Sequence, residues 1–114
     1  MPHKKFDFTL CYMNGYIYSL CGKDGRSEVV SSCERYKVED NTWQQIAPVK
    51  KKRYAASAVG CTNGKVFLFG GRSDNNNMVA EIEEYSESTN VWQIVSIREN
   101  LLNLWNPVEV CACI

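Results

Sequence analysis

The stretch Asn63-Gly-Lys-Val-Phe-Leu-Phe-Gly-Gly71 has a fainter copy forty-nine residues earlier, Asn14-Gly-Tyr-Ile-Tyr-Ser-Leu-Cys-Gly22. Self-similarity at a fixed period of this length is the sign of stacked like units. An Asn-Gly pair favours a tight turn with positive φ. The run Val66-Phe67-Leu68-Phe69 is apolar on both sides of a pleat and reads as a buried strand. Gly70-Gly71 ends it where no side chain fits or the backbone bends sharply.

Residues 14–47 overlay 63–96 without a gap. The identical pairs are Asn14/Asn63, Gly15/Gly64, Gly22/Gly71, Val30/Val79 and Glu34/Glu83, followed by Tyr36/Tyr85, Asn41/Asn90, Trp43/Trp92 and Gln44/Gln93. Average composition would give roughly two such pairs over this length. Ile17/Val66, Tyr18/Phe67, Lys23/Arg72 and Ile46/Val95 are conservative matches. The repeat is real.

An apolar strand ending in Gly-Gly, a polar loop, Glu-x-Tyr and a Trp seven residues later resembles the kelch repeat. The second unit matches best, with Phe69-Gly70-Gly71, Glu83-Glu84-Tyr85, Trp92 and a preceding Arg53. The first unit keeps Gly22, Glu34, Tyr36 and Trp43, but Cys21 replaces the first glycine and Lys4 stands where Arg53 stands in the second. The resemblance covers about residues 4–96. It implies an all-β, kelch-type β-propeller segment, one four-stranded antiparallel blade per repeat, used mostly for protein binding.

Taken in order, blade one (about 4–47) is expected to hold strands over 6–13, 15–20, 29–36 and 42–46. Blade two (about 53–96) is expected to hold them over 54–61, 65–69, 79–85 and 91–95. Short strands with turns at regular intervals are the all-β pattern. In the tail, 97–114, residues 108–114 read as an extra strand that would open a third blade, so the whole chain reads as one partial propeller that ends mid-repeat. Two blades leave two apolar faces open, whereas rings close with four to eight blades. Repeat arrays need about three units or capped ends to be stable. The chain is therefore not expected to be a stable monomer alone; other protein chains, copies of itself or further kelch blades should cover those faces.

Chemistry is sparse. Thirteen basic residues offset thirteen acidic ones, so no net field favours nucleic acid or an anionic membrane. No apolar run reaches the eighteen or so residues that cross a bilayer, and the start lacks a signal-peptide core. His3 is the only histidine, which leaves Ser-His or Cys-His catalysis without a placed base. Cys111-Ala-Cys113 has no second Cys/His pair after it, and residues i and i+2 of a strand share a face, so packing is the preferred reading over a metal site. The six cysteines show no framework spacing and read as reduced thiols. Lys50-Lys-Lys-Arg53 is the one charge run, read as a solvated inter-blade loop rather than a localisation or nucleic-acid patch.

The expected function is a non-enzymatic scaffold or adaptor, cytoplasmic (with the cytoskeleton as one setting), with no cofactor. Substrate recognition for a ubiquitin ligase is the alternative, and a propeller enzyme the contrasting class. In the family, partners meet the loops at blade ends. The equivalents here are Lys23, Asp24 and Arg26 in one repeat and Arg72, Asp74, Asn75 and Asn76 in the other. Trp43 and Trp92 are both expected to be buried between blades. A buried Glu83 needs a cationic partner; Arg53 is the first candidate, and Arg53 or Lys4 serves Glu34.

Overall fold

The computed structural model describes residues 4–95. Within it the chain forms β1 (Thr9–Met13), β2 (Tyr16–Lys23), β3 (Val29–Lys37) and β4 (Thr42–Ile46), then β5 (Ser57–Cys61), β6 (Lys65–Phe69), β7 (Ile82–Ser86) and β8 (Val91–Val95). They make two four-stranded antiparallel sheets in the orders β1-β2-β3-β4 and β5-β6-β7-β8. These are the two expected blades. The tail beyond residue 95, with its expected strand over 108–114, lies outside the described residues.

Three strands begin three residues later than the pattern suggested: β1 at Thr9, β5 at Ser57 and β7 at Ile82. In the first two the cause is backbone geometry. Asp7 and Ala55 both take left-handed φ, 51° and 56°, which breaks an extended run. Ahead of that break, Phe6 and Tyr54 make isolated bridges to Lys23 and Arg72. Pairing thus skips a residue and resumes.

The two hairpins differ by one residue. β1 and β2 join through Asn14-Gly15, with Met13 opposite Tyr16. β5 and β6 pair Cys61 with Lys65 and so enclose Thr62 as well. The period is forty-nine residues after the turn and forty-eight before it. Arg53 therefore corresponds to Lys5, not to Lys4 as the ungapped overlay suggests.

Close approach explains the second glycine of each pair. A Cβ on Gly22 would lie 2.7 Å from the Phe6 carbonyl oxygen, and one on Gly71 would lie 2.7 Å from that of Tyr54. Both have positive φ, 103° and 84°. The first position is looser: a Cβ on Gly70 would meet nothing, and Cys21 occupies the matching site with φ 45°. There the strand bulges, with the register shifting between Leu20 and Gly22.

The core lies between the blades. Blade one contributes Met13, Tyr18, Leu20 and Cys33; blade two contributes Val66, Leu68, Tyr85 and Trp92. β6 alternates accordingly, with Val66 and Leu68 buried and Phe67 and Phe69 only half-buried on the opposite side. Gly60 lets β5 cross β1, since a Cβ there would lie 2.5 Å from the Tyr12 carbonyl oxygen. Thr9 Oγ1 donates to the Ala56 carbonyl at 3.0 Å, and the Gly22 N–H to that of Arg53 at 2.9 Å.

Candidate functional site: an open blade face and a loop-end cleft

Glu83 and Arg53 are both fully buried and form a charge-assisted pair, Arg53 Nη2 to Glu83 Oε2 at 2.8 Å. Arg53 also donates to the carbonyls of Lys51 (3.2 Å), Gly70 (3.2 Å) and Glu81 (2.9 Å). Glu83 accepts the Lys50 and Lys51 N–H groups at 2.7 and 2.9 Å. The guanidinium fork is what allows one cation to hold a strand, a glycine turn and a carboxylate together.

In blade one Lys5 takes this role. Its Nζ donates to Glu34 Oε2 at 2.8 Å and to the Ser32 carbonyl at 2.7 Å. The expected partners of Glu34, Arg53 or Lys4, are thereby corrected to Lys5, and the one-residue difference in turn length is the reason. A lysine reaches fewer acceptors than an arginine, and Glu34 Oε1 is left without a partner among the described residues. Residues equivalent to Lys50 and Lys51 fall outside them.

The aromatic pairs are built alike and buried differently. Tyr85 and Trp92 have ring centroids 5.0 Å apart, Tyr36 and Trp43 5.1 Å. Trp92 is 2% exposed, as expected, but Trp43 is 37% exposed, which overturns the expectation that both are covered. Trp92 lies against blade one, where its Nε1 donates to the Ala47 carbonyl at 2.8 Å. No described residue stands in that place for Trp43. With Phe8, Leu10, Ile17 and Tyr36 it lines an apolar hollow on the open side of blade one.

At the other candidate surface, both predicted loops reach one cleft of about 510 Å³, to which Lys23 and Asp74 contribute with Lys52 and Tyr54. Lys23 Nζ lies 4.0 Å from the Tyr54 ring centroid, and Lys52 pairs with Asp74 at 3.2 Å. Asn76 accepts from the Tyr54 hydroxyl at 2.6 Å, and Arg72 Nη1 donates to the Asn76 carbonyl at 3.1 Å. Asp24 accepts the N–H groups of Glu28 and Arg26, and these bonds hold its carboxyl below the usual range. Arg26 and Asn75 are exposed and lie off the cleft. The loops do meet on one side.

Cys11, Cys21 and Cys33 are free thiols. Burial pushes Cys11 and Cys33 up to about 12 and Cys21 up to about 11, which makes them poor nucleophiles. Cys61 is disulfide-bonded, so the expectation of reduced thiols throughout does not hold there. Among the described residues no group of three His, Cys, Asp or Glu is placed to hold a metal ion.

The sequence model of the Kelch motif family matches the chain twice, over residues 5–50 and 53–97. Its two starting points, Lys5 and Arg53, are the residues that the structure makes equivalent. No curated protein matches the chain.

Proposed function

The chain belongs to the kelch-motif family, whose repeats are generally protein-interaction modules, and from that premise we propose that it is a non-enzymatic scaffold that works inside a larger protein assembly. The observation that carries this reading is the contrast between the two blade faces. Val66, Tyr85 and Trp92 are buried under blade one, while their counterparts Ile17, Tyr36 and Trp43 line an open apolar hollow. Apolar surface left in water forfeits roughly 25 cal/mol per Å², and contiguous faces of this kind mark association sites. The loop-end cleft supports the same reading, because it offers paired charges and an aromatic ring at a solvent-facing edge.

The test is the mass and unfolding of the purified chain. Association or aggregation above the 13.0 kDa of one chain is the expected result. A dispersed monomer with a sharp cooperative transition contradicts the proposal.

A further inference from the structure

We propose that the open face of blade one is filled by blade two of a second copy of this chain, packed head to tail, an inference that rests on the scaffold reading above. The covered and open positions are the same device. On blade two, the Tyr85 hydroxyl donates to Asn90 Oδ1 at 2.8 Å; on blade one the Tyr36 hydroxyl donates to Asn41 Oδ1. The two asparagines share a left-handed backbone, φ 53° and 52°. On blade two this device grips one residue of blade one from both sides. Trp92 Nε1 donates to the Ala47 carbonyl at 2.8 Å, and Asn90 Oδ1 accepts the Ala47 N–H at 3.0 Å. On blade one the Trp43 indole has no such acceptor among the described residues. A backbone segment with one free N–H and one free C=O completes it.

The chain itself carries the surface that covers such a site. Tyr18 of blade one meets Tyr85 edge-on, ring centroids 5.9 Å apart, with Leu20 in the same core. One period later blade two has Phe67 and Phe69 at these places. They are half-buried on the side away from blade one, because Val66 and Leu68 take the inward positions. Among the described residues, blade one thus presents an aromatic-lined hollow on its open side and blade two a pair of half-buried aromatic rings on its far side. Contact between unlike faces is heterologous and terminates when it closes a ring. With four to eight blades in a ring, about two to four copies suffice.

Two single substitutions separate the faces. Trp43→Lys disables the hollow and Phe67→Lys disables the opposite face, each by placing a charge in the contact. Sedimentation equilibrium should show the unsubstituted chain above 13.0 kDa and each variant alone at 13.0 kDa. An equimolar mixture retains one intact contact and should give a 1:1 complex of twice that mass. Leu10→Lys, 56% exposed in the same hollow, should substitute for Trp43→Lys in the mixture. If Phe67→Lys alone keeps the unsubstituted mass, or the mixture stays at 13.0 kDa while the unsubstituted chain is larger, the head-to-tail copy is wrong and the scaffold reading stands. An unsubstituted chain that is monomeric with cooperative unfolding overturns both.

Discussion

Trp43 and Trp92 occupy the same register on the last strand of their sheets, each opposite a tyrosine of the strand before. Local sequence builds the same aromatic pair in both blades, with the same asparagine turn beneath it. Burial differs because burial is supplied by a neighbour: Ala47 and the inner face of blade one lie against Trp92, and among the described residues no second blade lies against Trp43. The ion pairs differ for a local reason instead. Arg53 and Lys5 sit in equivalent places, but the guanidinium holds three carbonyls besides its carboxylate while the ammonium holds one. A repeat therefore fixes its own geometry, while its stability depends on the residue chosen at one position and on what stands next to it.

The largest effects are expected at the buried cations. Arg53→Ala leaves Glu83 buried and unpaired and should cost about 3–5 kcal/mol, as measured by denaturant unfolding. Arg53→Lys should give a smaller loss, about 1–3 kcal/mol for the carbonyls left unsatisfied. A loss no greater for Arg53→Ala than for an exposed lysine would remove the network from the account.

Trp92→Ala should cost about 3–5 kcal/mol, whereas Trp43→Ala, at protein concentrations where the chain is dissociated, should cost under about 1 kcal/mol, the range of an exposed site. Equal losses would mean that the two faces are not distinct in solution.

Next come the glycines. Gly71→Ala drives a Cβ into the Tyr54 carbonyl at a positive φ and should lose about 2–3 kcal/mol, combining overpacking with left-handed strain. Gly70→Ala meets open space and should lose about 1 kcal/mol, for left-handed strain alone. Cys21 at the equivalent position already tolerates that geometry.

At neutral pH the smallest effect is Tyr18→Phe, which gives blade one the residue type that blade two has at Phe67. Burial raises the Tyr18 hydroxyl from 10.0 to about 12. The folded state then holds a proton that the unfolded state releases, so this stability is intact below pH 10 and lost as pH rises toward 12. The buried thiols act in the same direction from about pH 9.0 upward. Alkaline unfolding curves should be shallower for Tyr18→Phe than for the original chain; identical curves would show that Tyr18 does not titrate with folding.

Much of this fold was legible in the residues. The Gly-Gly, Glu-x-Tyr and Trp spacing carried the resemblance that implied both sheets, and three of the eight described strands, β4, β6 and β8, have the expected limits. The buried Arg53–Glu83 pair followed from asking what a carboxylate among apolar strand residues requires. Lys5 was missed because Thr62 lengthens one hairpin, and an ungapped overlay carried past the turn slips by a residue. Its signal was available, since aligning the two positively charged strand leaders from the other side of the turn sets Lys5 on Arg53. The exposure of Trp43 was illegible for a different reason: sequence identity reports the shape of a unit and not whether a neighbour is present. Phe8, Leu10 and Ile17 were likewise strand residues until the fold set them around one hollow.

As proposed above, the Trp43 face is an interface built like the Trp92 face. Indole N–H exchange, followed by NMR and assigned with Trp→Phe variants, tests it directly in the purified chain. Trp92 should be protected at every concentration, and Trp43 should be protected at high concentration and lose protection on dilution as the copies separate. A Trp43 indole that exchanges freely at all concentrations, while Trp92 stays protected, would contradict the account.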